Sequence, residues 1–125
     1  MRAFVIPAGA LLAGLALHAP PAQAAGDAAR GREIYETRCF ACHSLDANRV
    51  GPKHRGVYGR TAGSVAGYAY SPALKASGIV WSEATLDPWL AGPRRLVPGT
   101  KMSFSLPEAA DRADVIAYLR QESGK

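Results

Sequence analysis

The chain has 125 residues, 15 Lys and Arg against 10 Asp and Glu, a formal charge of +5, and two cysteines. That length allows one domain of ordinary size and excludes a large multidomain enzyme. Charged residues at 20 % and hydrophobic ones at 48 % exclude a disordered charged tail and a polytopic membrane protein. One cysteine pair is too few for a disulfide-stapled scaffold, and no Walker or GxGxxG pattern is present to cradle a nucleotide phosphate.

The first segment reads as an address. Arg2 precedes an apolar run from Ala3 to Leu17, interrupted by Pro7, Gly9 and Gly14, and then Pro20 and Pro21 lead into Ala22-Gln23-Ala24. A positive end, a short apolar stretch and an A-x-A site make a secretory signal. Cleavage is expected after Ala24, with Ala25 as the alternative, leaving a signal over 1–24 and a mature domain over 25–125 with a formal charge of +4. A retained anchor is the competing reading, but it needs about 20 apolar residues. The expected location is a bacterial periplasm, without stable membrane insertion once the signal is removed. That compartment oxidises free thiols, so the cysteine pair should be bridged, metal-bound or capped.

Asp27 offers an N-cap for a helix over Ala28 to Phe40, with Gly31, Ile34, Tyr35 and Arg38 on one side. From Ser44 to Tyr70 glycine recurs at 51, 56, 59, 63 and 67, with Pro52 among them, and the spacing predicts a long ordered loop without strands. A loop of that length is usually functional or wrapped around something. Ser71-Pro72 starts a short helix that ends before Gly78. Ser82 or Thr85 caps another through Trp89-Leu90, stopped by Gly92-Pro93. A second Pro/Gly loop runs from Pro98 to Met102, and a last helix covers Pro107 to Gln121 with a stripe of Val115, Ile116, Tyr118 and Leu119. The expected class is all-α: about four short helices, long loops and a thin peptide core that needs apolar surface from elsewhere.

Cys39-Phe40-Ala41-Cys42-His43 supplies a candidate for that surface. C-x-x-C-H is the attachment signature of c-type haem. On a helical turn Cys39 and Cys42 share a face, so two thiols can add to neighbouring vinyl groups while His43 offers an imidazole to the iron. The alternatives fit less well. A thioredoxin-like pair needs a preceding strand and a βαβ context. A zinc site lacks a fourth ligand at a recognised spacing, since only His54 is near. A plain disulfide leaves His43 unexplained. Met102 is the one methionine of the predicted mature chain. A lone methionine is ordinarily gap-filler, but its place in a Pro/Gly loop points to a sixth ligand. A His/Met pair raises the potential and blocks dioxygen, which leaves gain and loss of one electron.

These residues resemble the class I c-type cytochromes, the soluble mitochondrial and bacterial group. The resemblance runs from Gly26 to Leu119 and rests on Gly31 with Tyr35, the Cys39–His43 motif, Gly51-Pro52, Gly56 and Gly59-Arg60, Gly67 with Tyr70-Ser71, Gly78 with Trp81, Val97 to Met102, and Arg112 to Leu119. It implies the cytochrome c fold around one covalent haem c. It implies that the Pro52 carbonyl holds His43, that Arg60, Tyr70 and Trp81 surround the inner propionate, and that Thr100 hydrogen-bonds near the outer one. Gly31 would let the first and last helices cross, with Tyr35 against Tyr118. The chain departs from many relatives at His54, where leucine packs on the haem, at Trp89, where a tyrosine bonds the Met sulfur, at Leu74, where a polar residue sits, and at Leu106, a frequent glycine. The link from His43 to Gly51 is also short. His54 reads as a surface or hydrogen-bonded loop histidine, with misligation as the alternative; Lys101 reads as a surface charge or an alkaline substitute for Met102.

The implied function is a one-electron carrier, not an enzyme, that shuttles between periplasmic or membrane redox complexes as a monomer. The alternative is a haem subunit of a periplasmic oxidoreductase such as a sulfite or alcohol dehydrogenase. A gas-binding or peroxidatic haem protein would need Met102 off the metal. The positive excess does not indicate nucleic acid, because interleaved aromatics are lacking. Arg94, Arg95 and Lys101 on one side, with Arg49, Lys53 and Arg55 on the other, suggest a basic rim that steers the chain to acidic redox partners.

Overall fold

Asp27 opens the first helix of the computed structural model, which describes Ala3, Ala16 and residues 26–125. The predicted signal segment and its cleavage site otherwise lie outside the described residues. The Asp27 carboxylate accepts from the backbone N–H groups of Ala29 and Arg30 at 2.9 and 3.2 Å, and α1 follows over Ala28–Ile34. The helix does not end there. It widens into a π-helical turn over Tyr35–Cys39, in which the Phe40 N–H reaches the Tyr35 carbonyl at 3.1 Å. Such turns are rare and recur at functional sites. The predicted helix over Ala28 to Phe40 is therefore present with a change of pitch, in a turn that ends on the first cysteine of the Cys-x-x-Cys-His motif.

The remaining helices are α2 (Pro72–Lys75), α3 (Glu83–Ala91), α4 (Pro93–Leu96) and α5 (Ala109–Ser123). Proline leads α2, and the Ser71 hydroxyl caps it by accepting from the Leu74 N–H at 3.1 Å. At α3 the Ser82 N–H donates to Thr85 Oγ1 at 2.8 Å, the backbone half of a capping box. The prediction of about four helices misses α4. Gly92-Pro93 reads as a stop, but an extended Gly92 only breaks the chain, and Pro93 then occupies the first position of a new turn. The start of α5 lies two residues later than predicted. The Leu106 N–H donates to the Leu90 carbonyl at 2.7 Å, and Arg112 Nη1 donates to the carbonyls of Leu106 and Pro107, so the approach is held extended from outside the helix. Among the described residues there are no strands, only an isolated antiparallel bridge between Thr61 and Val80.

The helices meet at one crossing. α1 packs on α5 over the most extensive helix contact among the described residues. A Cβ added to Gly31 would overlap the Asp114 carbonyl and crowd Tyr118, so only glycine lets the two backbones come this close. Asp114 serves the crossing a second time. Its carboxylate accepts from the Asp27 N–H at 2.7 Å and pairs with Arg30, whose other arm reaches Asp111 at 2.7 Å. The Asp27 N–H and the Arg30 guanidinium together hold the Asp114 carboxyl below its ordinary range. Tyr35 and Tyr118 pack ring against ring at 5.4 Å. Around this crossing Leu86, Trp89, Leu90, Leu106, Val115, Ile116 and Leu119 form the core, and several of them also face a cavity.

Gly31→Ala forces α1 and α5 apart or distorts both. The expected cost is about 1–3 kcal/mol of folding stability, the range for overpacked interiors. Chemical denaturation at constant m-value checks it; a midpoint equal to that of the parent chain would show that the crossing has slack.

Candidate functional site

The turn over Cys39–His43 is helical, with the N–H groups of Cys42 and His43 both donating to the Cys39 carbonyl at 3.2 and 2.9 Å. That turn sends Cys39, Cys42 and His43 to the wall of one cavity of about 460 Å³, within the range of sites that hold organic cofactors. The two thiols are not bonded to each other. Burial raises the Cys39 thiol to about 11.

His43 is the most constrained side chain of the wall. Its Nδ1 lies 2.9 Å from the Pro52 carbonyl oxygen. A carbonyl can only accept, so Nδ1 carries the proton and donates, which leaves the Nε2 lone pair free for a metal. Gly51 stands directly behind the ring: a Cβ there would overlap three ring atoms, and the Gly51 N–H is anchored on the Cys42 carbonyl at 2.8 Å. Burial lowers the proton affinity of His43. His54 lies flat against the other ring, with centroids 3.9 Å apart and planes 18° apart. Its own Nδ1 is 3.0 Å from Tyr35 Oη. Burial first, and then the neighbouring His43 and Arg60, hold His54 well below the ordinary histidine range.

A two-residue ribbon places the next group. The Gly59 N–H donates to the Trp81 carbonyl at 2.7 Å, the Trp81 N–H to the Arg60 carbonyl at 2.9 Å, and the Ala62 N–H to the Ile79 carbonyl at 2.7 Å. Arg60 and Trp81 are thereby neighbours although far apart in sequence. The Arg60 guanidinium donates to the carbonyls of Lys53 and Arg55, and burial lowers its pKa. Tyr70 Oη accepts from the Val65 N–H at 3.1 Å, so its own proton remains available. Thr100 is buried and Met102 half-buried, and both reach the same cavity from the Pro/Gly loop. All nine residues singled out from sequence, namely Cys39, Cys42, His43, Pro52, Arg60, Tyr70, Trp81, Thr100 and Met102, line it. So do the four departures, His54, Leu74, Trp89 and Leu106.

Sequence reasoning did not single out Tyr68 and Phe104, which line the cavity as well. Tyr68 Oη donates to the Val50 carbonyl at 2.7 Å and its ring meets Tyr70 edge-on at 4.7 Å. Phe104 remains 37 % exposed, a large aromatic left in water two residues after Met102; that exposure has no signature in the sequence.

The residues present fit a covalent haem. The cavity wall is mostly apolar and carries no carboxylate, so it suits a flat hydrophobic ring; Arg60, Tyr70 and Trp81 offer donors to an acid group on that ring. Its potential metal donors include imidazole nitrogen and thioether sulfur, a pair that suits haem iron. Among the described residues no three His, Cys, Asp or Glu side chains converge as a zinc site requires.

A family model described as Cytochrome c matches residues 28–123. The chain belongs to the cytochrome c family. It is 46 % identical over 104 residues to cytochrome c 2.1 of Caenorhabditis elegans, covering 81 % of this chain and 94 % of that one. It is 52 % identical over 101 residues to the cytochrome c-type cyt cy of Rhodobacter capsulatus, a protein of which it spans about half, 51 %, and which covers 79 % of this chain. Among solved structures, cytochrome cH from Methylobacterium extorquens superposes with a TM-score of 0.73 at 46 % identity, over 77 % of this chain and 99 % of that one. As a cytochrome c, the chain carries one covalently attached haem c and works as an electron carrier between redox partners, not as an enzyme.

The basic residues around the site differ in how free they are. Arg55 is engaged by Asp46 at 2.6 Å and Glu122 at 3.1 Å. The Lys101 ammonium donates to the Ala69 carbonyl at 2.6 Å. Arg49 donates to the Phe40 carbonyl at 2.7 Å and lies over the Phe40 ring. Lys53, Arg94 and Arg95 are exposed and, among the described residues, in no ion pair.

His54 has a folded pKa well below the ordinary 6.5. Below that pH the unfolded chain binds a proton at this position that the folded chain refuses, so its contribution to stability is complete above 6.5 and lost as pH falls below it. It adds a slope of about 1.4 kcal/mol per pH unit. Denaturation of the holoprotein between pH 7 and 5 should show this fall, and His54→Leu should remove that one-proton slope.

Proposed function

We propose that residues 25–125 form an exported, monomeric carrier of the periplasm, released by cleavage after Ala24. Cys39 and Cys42 would hold the haem through thioethers, and His43 and Met102 would be the axial ligands. The observation that carries this reading is the convergence of the nine residues on one wall that holds no carboxylate and brings imidazole nitrogen and thioether sulfur together. When bound, the haem supplies the reversible one-electron change of its iron.

The protein's share follows from its residues. Pro52 fixes the tautomer of His43 and keeps Nε2 unprotonated. Gly51 admits the ring and bars it from turning. Arg60, Tyr70 and Trp81 would donate to a propionate that otherwise would be a buried, unpaired charge. Leu74, Trp89, Leu90 and Leu106 keep water from the Met102 side. A dry and rigid surround reorganises little when one charge is added or removed, which suits fast electron exchange. Lys53, Arg94 and Arg95, with Arg38 on the cavity wall, are exposed cations in no ion pair among the described residues and so available to draw an acidic partner. Of the expected rim, Arg55 is neutralised within the fold by Asp46 and Glu122, whereas Lys101 keeps its charge while donating to the Ala69 carbonyl.

Protein matured with a haem-attachment system is the first test. Its denatured mass should exceed that of bare peptide by one haem, and Cys39→Ser with Cys42→Ser should abolish the excess. Met102→Ala should leave the mass gain intact and let the reduced protein bind carbon monoxide tightly at neutral pH, where the parent does not. A parent that binds carbon monoxide equally well would remove Met102 from the ligand set.

For the rim, Arg94→Glu with Arg95→Glu should slow reduction by an acidic partner about tenfold at low salt and flatten its salt dependence. Stopped-flow rates across a salt series read this out; a parent rate that does not fall with salt would refute steering.

A further inference from the structure

His54 has no assigned role in the site, yet it is held as firmly as the groups that do. Its N–H donates to the Ser44 carbonyl at 3.0 Å and its carbonyl accepts from the Val57 N–H at 2.9 Å, so its backbone is tied to the residue that follows His43. Its side chain is tied separately, at 3.0 Å from Tyr35 Oη. Tyr35 is 2 % exposed and is itself fixed by Tyr118 of α5 at 5.4 Å. Four rings thus run in line from the helix crossing to the cavity: Tyr118, Tyr35, His54 and His43. Within that line the step from His54 to His43 is face to face at 3.9 Å, whereas the steps from Tyr118 to Tyr35 and from Tyr35 to His54 are tilted, at 57° and 60°. An aliphatic side chain could fill the same space. It could neither take the Tyr35 hydrogen bond nor lay an aromatic face on His43.

We infer that His54, oriented by the hydroxyl of Tyr35, is a positioning residue that sets the reduction potential through its stack on His43. The inference rests on His43 being an axial ligand. Burial keeps the Tyr35 phenol protonated far into alkaline pH. Its O–H can therefore donate to His54 Nδ1, which fixes the proton of His54 on Nε2 and the ring plane parallel to His43. Aromatic faces are electron-rich. Oxidation adds positive charge to the metal and to the imidazole bound to it, and the His54 face stabilises that charge. It therefore favours the oxidised state and lowers the potential.

The test uses the matured full-length holoprotein, with Tyr35→Phe, His54→Leu and the double variant. Three quantities are read: the potential by redox titration, the hyperfine-shifted His43 ring protons in the oxidised NMR spectrum, and the melting temperature. At a fixed poise the oxidised-to-reduced ratio should fall about three- to tenfold in His54→Leu, and by less in Tyr35→Phe; tenfold corresponds to about 59 mV for one electron. The His43 resonances should move in both. The double variant should match His54→Leu, because Tyr35 acts through His54. Parent-like potentials and resonances with lowered melting temperatures would reduce His54 to packing and overturn the inference. Additive shifts in the double variant would overturn the Tyr35 route. If His54→Leu does not mature, Tyr35→Phe decides by the same potential and resonances. A parent without hyperfine-shifted histidine protons would instead refute the axial role of His43, an outcome separate from the others.

Discussion

The bond from His43 Nδ1 to the Pro52 carbonyl is the constraint on which the rest depends. It makes one ring nitrogen a donor and so leaves the lone pair of the other free for a metal. Everything around it serves to keep that single orientation. Gly51 is glycine because the ring occupies the place of its side chain. Cys42 anchors the Gly51 N–H, so the loop that carries Pro52 is locked to the motif that carries His43. A chain of short helices and long loops could not otherwise hold one imidazole to within a fraction of an ångström. It does so by hydrogen-bonding the loops to each other, not by lengthening the helices.

The same economy appears at the helix crossing. α1 and α5 lie at opposite ends of the described residues, and Asp114 holds both the first N–H of the α1 cap and the Arg30 side chain. This crossing sits behind the cavity and supplies Val115 and Leu119 to its wall. Packing and site are therefore one structure, and the bound group completes the core in place of the side chains that a domain of this size lacks.

Much of this was legible in the sequence, for a physical reason. Attachment chemistry demands a spacing, so Cys39, Cys42 and His43 announce themselves, and Met102 stands out because nothing else in the predicted mature segment can offer a thioether. Glycine at 31 and 51 reports close approach. What was not legible depends on partners distant in the chain. α4 hides behind Gly92-Pro93, whose local meaning is equally a stop or a restart. The ribbon that joins Arg60 to Trp81 has no alternation to betray it, being only a single bridge. Arg55 and Lys101 look like free surface charges until Glu122 and the Ala69 carbonyl are seen beside them. His54 looks like a loop histidine until Tyr35 and His43 enclose it.

The widened turn over Tyr35–Cys39 has a bearing on how the two ends of this machinery are phased. α1 must present Gly31 to α5, while the segment just after it must present sulfur to the cavity, and a uniform α-helix links those two azimuths rigidly. The wider turn acts as a vernier between them. Removing one residue within 36–38 would restore ordinary pitch and turn the thiols relative to the wall while leaving Gly31 and Tyr35 at the crossing, so the insertion is a gear between two docking faces.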